Sequence, residues 1–268
     1  MKKILTAALL GLSLNSFADD APLWLRFSAI SPDGQTIAFS YKGDIFSVPV
    51  NGGTAKQLTT NSAYDAYPVW SPDGQKIAFA STREGSMDVY LMDKNGGVPK
   101  RLTTNSGNET PMAFTDNSHV LFTSAGMPTA KSIFFASGTF PQTYEVGIDA
   151  SRPRLYSPMT MYDVSIRSNG DILYHDAKGY EDNFRKHHRS PVTRDIWLYS
   201  KGNYTKLTDF NGEDRTPVWA GNDNAYYYLS EEDGTFNVYK RNIDGSGKKQ
   251  LTFHKKNPVR FLTVANNG

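Results

Sequence analysis

"AISPDGQTIAFSYKGDIFSVPVNGGTAKQLTTNS" (29–62) is repeated, almost phrase by phrase, in "VWSPDGQKIAFASTREGSMDVYLMDKNGGVPKRLTTNS" (69–106). Weaker copies follow in "TPMAFTDNSHVLFTS" (110–124), "YDVSIRSNGDILYHD" (162–176) and "TPVWAGNDNAYYYLS" (216–230). The apolar residue before each turn serves as an anchor: Ile30, Trp70, Phe114, Ile166, Trp219 and Val264, at intervals of 40, 44, 52, 53 and 45 residues. Such periods fit four-stranded propeller blades rather than helical solenoids, and "KIAFAS" and "DVYLMD" carry the alternation and the β-branched and aromatic content of strands. Asp-Gly, Asn-Gly and Gly-Gly dipeptides between them suit tight hairpins, because glycine accepts positive φ without a Cβ clash.

Repeat two parses into strand A "YPVWS" (67–71), B "KIAFA" (76–80), C "MDVYLM" (87–92) and D "PKRLTT" (99–104), with a six-residue B–C connection over 81–86. Asp33 and Asp73 are expected to bond their own turn backbones rather than to ligate a cation or act as catalytic carboxylates. Trp70 and Trp219 are expected in the core.

The predicted fold is all-β: a propeller of four-stranded blades, six in the intact protein. Five complete repeats (about 24–62, 67–106, 110–158, 162–211 and 216–257) and the first strand of a sixth (260–268) are read in this chain. A propeller protects its sheet edges by closing radially, so a blade interrupted after one strand points to a C-terminal truncation.

Composition narrows the function. Among 268 residues, 29 Lys+Arg stand against 27 Asp+Glu, and no basic stripe calls for nucleic acid. Cysteine is absent, which excludes a disulfide framework, a thiolate nucleophile and Cys-based zinc sites. Lys2, Lys3, the apolar run "ILTAALLGLSL" (4–14) and Ala18 have the three-part layout of a secretory signal peptide over 1–18, with the propeller over 19–268. That run is too short for the ~20 residues of a bilayer span. A periplasmic or secreted location is therefore expected, with no membrane span after signal cleavage.

Reaction motifs are sparse. There is no Gly-x-Ser-x-Gly elbow, no His-Glu-x-x-His, no phosphate-cradling loop and no calcium loop. Gly245-Ser246-Gly247 falls in a C–D hairpin, and His119, His175 and His254 are scattered over different repeats. No catalytic residue, metal or cofactor is assigned. The most chemically loaded stretch is "KGYEDNFRKHHRSPVTRD" (178–195), which lengthens the B–C connection of blade four. Strand alternation puts B–C and D–A loops on one propeller face, so this insertion is expected at a mouth of the channel, where loops longer than the fold requires are often functional. His187 and His188 diverge along an extended chain, which disfavours chelation of one ion. Glu181 and Asp182 are expected to pair with Arg185, Lys186, Arg189 or Arg194. The remaining cations are expected to meet an acidic partner or a peptide carboxylate. The candidate contact residues are Arg185, Lys186, His187, His188 and Arg189; a structural and a recognition role both remain open for them.

These phrases resemble the N-terminal propeller of bacterial tricorn-type serine proteases, over nearly all of the mature chain. The similarity is most specific at "YHDAKGYEDNFRKHHRSPVTRDIWLY" (174–199) and "YTKLTDFNGEDRTPVW" (204–219). Ser-Pro-Asp-Gly repeats alone are shared with propellers of the Tol system and of prolyl oligopeptidases. The resemblance implies a six-bladed propeller followed by a seven-bladed one, a PDZ-like module and a serine-protease domain, with the propellers filtering or guiding peptides. The catalytic serine would lie beyond residue 268. The expected function is a non-catalytic gate or peptide-sorting module of an exported endopeptidase. Its partners would be peptide or unfolded polypeptide and downstream domains of the same chain, and self-association is left open. The alternative is a periplasmic scaffold that binds a protein partner.

Overall fold

The computed structural model describes residues 24–125, 141–179, 191–221 and 224–266. Among these described residues, twenty strands form five separate four-stranded antiparallel sheets. Blade 1 contains β1 (Arg26–Ile30), β2 (Thr36–Tyr41), β3 (Asp44–Pro49) and β4 (Lys56–Gln57). Blade 2 contains β5 (Asp65–Trp70), β6 (Lys76–Glu84), β7 (Ser86–Asp93) and β8 (Gly96–Arg101). Blade 3 follows with β9 (Glu109–Asp116), β10 (His119–Ser124), β11 (Gln142–Gly147) and β12 (Arg154–Ser157). Blade 4 is β13 (Tyr162–Ile166), β14 (Ile172–His175), β15 (Ile196–Ser200) and β16 (Asn203–Lys206). Blade 5 is β17 (Asp214–Trp219), β18 (Ala225–Ser230), β19 (Asn237–Asn242) and β20 (Lys249–Gln250). The innermost strands touch in succession, β1 to β5 to β9 to β13 to β17, which is a five-bladed propeller arrangement.

The repeated phrases have repeated jobs. In Ser-Pro-Asp-Gly, Ser31 Oγ donates to Asp33 Oδ1 at 2.5 Å and the Gln35 N–H reaches the same oxygen at 3.0 Å. Ser71, Asp73 and Gln75 copy this at 2.6 and 3.0 Å. These bonds hold both carboxyls below their ordinary pKa, the serine hydroxyl first. The aspartates are turn residues, as the sequence predicts. The Leu-Thr phrase is a second device. Thr59, Thr103, Thr208 and Thr252 each accept the strand-C amide of Ile45, Val89, Ile196 and Val238, at 2.9–3.0 Å. This locks the short outer strand onto the blade where few ladder bonds exist.

Cores lie between blades. Phe79, Tyr90 and Ile77 of blade 2 pack on Ala38, Ile45 and Leu58 of blade 1. Phe122, Tyr144 and Phe114 of blade 3 pack on Val89, Leu91 and Leu102 of blade 2. Cross-strand aromatic pairs stack within blades, as in Phe39–Phe46, Phe79–Tyr90 and Phe122–Tyr144, with centroids 5.8–5.9 Å apart. Such pairs are a main source of sheet stability. The indole N–H of Trp70 reaches Ala29 O at 3.0 Å and that of Trp219 reaches Ser165 O at 3.1 Å, so both tryptophans tie adjacent inner strands.

One strand assignment differs from the sequence reading. The B–C connection of blade 2 is not six residues: β6 runs to Glu84, and Gly85, at φ 105°, makes the turn into Ser86. In blade 3 the B–C connection, between Ser124 and Gln142, is long. The sequence offers no Pro-Asp-Gly before β10. Asp116 makes the preceding turn instead, accepting from Ser118 N–H at 2.6 Å.

Four inner strands share a bulge that sequence did not reveal. Phe27, Tyr67, Asp163 and Thr216 have φ of 53°, 58°, 47° and 49°. Each lies where the inner strand slips register against its neighbour. Positive φ is disfavoured for any side chain, so its repetition on four inner strands marks a positional requirement. Pro111 occupies the place on β9, where the ring fixes φ negative.

Residues 259–266 form no strand but run between blades 5 and 1. The Val259 N–H reaches Phe236 O, and the Asn266 N–H reaches Pro32 O, both at 2.9 Å. Phe261 packs edge-on against Phe27 at 5.3 Å.

Candidate functional site at the channel mouth

Residues 180–190 lie outside the described residues, and with them Glu181, Asp182, Arg185, Lys186, His187, His188 and Arg189. The insertion's two ends are described. Asp176 accepts the Asp195 N–H at 2.8 Å and the Trp197 indole N–H at 3.1 Å. Lys178 donates to Thr193 O at 2.7 Å and pairs with Asp195, which Lys206 also reaches at 2.9 Å. The neck of the insertion is thus stapled by alternating charges.

Arg194, at the C-terminal end of the insertion, turns to the next blade. Its guanidinium lies 3.7 Å from Glu213 and 3.4 Å from His175 Nε2. Arg215 pairs with the same Glu213, which is fully buried, and lies over the Phe236 ring at 4.5 Å. The two phrases that carry the sequence resemblance, the insertion and "NGEDR", therefore meet at one buried carboxylate. Two arginines thus converge on one buried glutamate, where burial weakens screening.

His175 is buried beside them. It stacks on Tyr162 at 5.6 Å, accepts the Thr216 N–H at Nδ1 at 3.3 Å, and lies 3.6 Å from Asp163 Oδ2. Burial, then the charges of Arg194 and Arg215, push its pKa well below the ordinary 6.5, so the ring is neutral at pH 7. Thr216 Oγ1 donates to Asp163 Oδ2 at 2.7 Å. The three side chains do not form a nucleophile–base relay, because the hydroxyl donates to the carboxylate and not to the imidazole. In the sequence His175 reads as an isolated strand histidine. Its neighbours come from β13 and β17, and no local spacing joins them.

Acids elsewhere on this face are also buried. Asp65 pairs with Arg83 at 2.6 Å, and Asp88 with Arg101 at 2.8 Å. Glu109 is fully buried, and burial raises its pKa to about 7. Asp214 is raised to about 7 for the same reason. Among the described residues no three His, Asp or Glu side chains are grouped to hold a metal ion.

Residues 22–268 match the model of the tricorn protease N-terminal beta propeller domain. The chain belongs to this family.

A tricorn protease homolog of Streptomyces coelicolor is 28% identical over 236 residues, covering 87% of this chain and 21% of that protein. In fold, the crystal structure of the tricorn protease matches with a TM-score of 0.72 at 21% identity, over 89% of this chain and 23% of that one. A putative TolB from Agrobacterium tumefaciens matches at 0.66 and 16% identity, over 85% and 80% of the two chains. This tricorn-type propeller thus spans about a fifth of the length of its curated tricorn relative.

Proposed function

We propose that this propeller is a non-catalytic substrate gate or peptide-sorting module of an exported tricorn-like serine endopeptidase, with hydrolysis carried out elsewhere in the longer protein. The carrying observation is the convergence of Arg194 and Arg215 on buried Glu213 at the neck of the 178–195 insertion. In this reading the two arginines stand at a channel mouth, beside an insertion that adds Arg185, Lys186, His187, His188 and Arg189. Cations held this way attract carboxylates of a passing polypeptide without paying to reorganise. Export rests on the N-terminal 1–18 segment, which has the layout of a cleavable signal.

A six-bladed intact ring belongs to the same reading. The leucine of the Leu-Thr phrase is 6% exposed at Leu58 and 3% at Leu102, but 39% at Leu251, at the end of blade 5, where this reading puts the sixth-blade sector. Strands completing that sector would cover it.

The similarity to TolB favours a second reading, a scaffold for a folded partner. Titration with reduced, carboxymethylated α-lactalbumin and with the native protein separates the two. The sorting reading expects binding of the unfolded chain alone; binding that requires a folded protein supports the scaffold.

A further inference from the structure

Within this peptide-handling reading, we infer that a cleft between blades 1 and 2 binds a short peptide by its two free ends. Asp33 and Asp73 take the N-terminal ammonium, and Lys56 and Lys94 the C-terminal carboxylate. The cleft has a volume of about 600 Å³ and is lined by residues of both blades. Antiparallel alternation puts the β1–β2, β3–β4, β5–β6 and β7–β8 turns at one end of these blades, and the cleft lies among them.

Its charges are sorted along the blade radius. Asp33 and Asp73 sit in the turns that leave the innermost strands, β1–β2 and β5–β6. Lys56 stands on the outermost strand β4, and Lys94 in the turn that leads into the outermost strand β8. The inner and outer turns of a blade are two strand spacings apart, about 10 Å. An extended tripeptide also spans about 10 Å from end to end. A ligand with a cation at one end and an anion at the other, at that separation, matches the cleft.

The four charged groups are positioned but not neutralised. One oxygen of each aspartate closes its turn: Asp33 Oδ1 accepts from Ser31 and Gln35, and Asp73 Oδ1 from Ser71 and Gln75. Both carboxyls therefore stay ionised at neutral pH. Among the described residues neither Oδ2 accepts a hydrogen bond, and no salt bridge joins either aspartate to a lysine. Lys56 Nζ donates to Asn95 O at 2.9 Å across the blade seam, which fixes its position without cancelling its charge. Lys94 makes no salt bridge among the described residues, and its charge is the last and smallest of the influences that lower Asp33. Trp70 supplies an apolar part of the lining, and its indole N–H is already committed to Ala29 O at 3.0 Å, which holds the ring. Both ends of a peptide can thus form charge-assisted bonds here without breaking an internal ion pair.

Four probes test the site by calorimetric titration of the whole chain, with the Trp70 indole N–H followed by NMR. They are Ala-Ala-Ala with both ends free, its N-acetyl form, its C-terminal amide, and the form capped at both ends. The free peptide is expected to bind about tenfold tighter than either singly capped form, the loss of one charge-assisted contact. Asp33→Asn combined with Asp73→Asn keeps the turn acceptors; it is expected to abolish the effect of acetylation and leave that of amidation. Lys56→Gln combined with Lys94→Gln is expected to do the reverse. Equal affinity for all four peptides, preferences that both variants retain, or a Trp70 signal unmoved by binding overturns the site. If the tripeptide fails to bind while reduced, carboxymethylated α-lactalbumin binds, the site is overturned and the sorting reading stands; failure of both ligands overturns both. If a variant does not fold, the four-peptide comparison on the unaltered chain decides.

Discussion

Ile30 donates its backbone N–H to Thr263 Oγ1 at 3.2 Å, and Trp219 makes the same bond to Ser165 Oγ at 3.2 Å. Ile30 and Trp219 are the anchors of their inner strands. Ser165 and Thr263 each stand one residue before the anchor of the preceding unit. The segment 259–266 therefore meets blade 1 as blade 4 meets blade 5, although it forms no strand.

Thr263→Val keeps the shape of the side chain and removes this acceptor. The expected loss is about 0.5–1 kcal/mol, the net worth of one hydrogen bond, read from urea unfolding. An unchanged midpoint would show that the segment does not brace blade 1.

Gly96 tests the packing of blade 2 on blade 1. It has φ 88°, and a Cβ there would meet Leu58 O at 2.9 Å. Gly52, at φ 85°, has nothing within 4 Å. Gly52→Ala is expected to cost about 1 kcal/mol from backbone strain alone, and Gly96→Ala about 2–3 kcal/mol because blade 1 must also shift. Equal losses by thermal denaturation would remove the close approach as a cause.

Glu213→Gln leaves Arg194 and Arg215 without their shared carboxylate. Breaking a buried pair from one side costs about 3 kcal/mol or more, so the unfolding midpoint is expected to fall by several degrees. A loss within the range of surface substitutions would show that solvent already screens the cluster.

Glu109 gives a pH signature. Burial lifts its pKa from the ordinary 4.5 to about 7 in the folded chain. Between those values the folded state holds a proton that the unfolded state has released. Its contribution is therefore favourable at low pH and is lost as pH rises from about 4.5 to 7. Glu109→Gln is expected to gain stability relative to the parent over that window, on the order of 2 kcal/mol by pH 7.5. A difference between the two proteins that is flat from pH 4.5 to 7.5 would contradict the buried, raised carboxyl.

Much of the fold is legible in sequence because the repeated phrases are local devices. Ser31–Asp33 and Thr59–Ile45 bonds close turns and edges within one blade, so their residues recur at fixed spacing. What escaped were features made by residues from different blades. Glu213 and Arg215 belong to a phrase that stood out in the sequence, but their partner Arg194 is reached only when blades 4 and 5 pack. Nothing local marks Tyr67 or Thr216 for positive φ, since neither is a glycine. In blade 3 Asp116 and Ser118 make the turn without Pro-Asp-Gly.

The central claim is that the charged mouth handles polypeptide, and its most direct test is peptide binding by the variant with Arg185, His187, His188 and Arg189 all changed to Ala. Affinity for an unstructured acidic peptide should fall at least about tenfold while the melting temperature holds within about 2 °C, as expected for loss of surface contacts. A large loss of melting temperature with peptide affinity unchanged would contradict the claim and make the insertion a structural element.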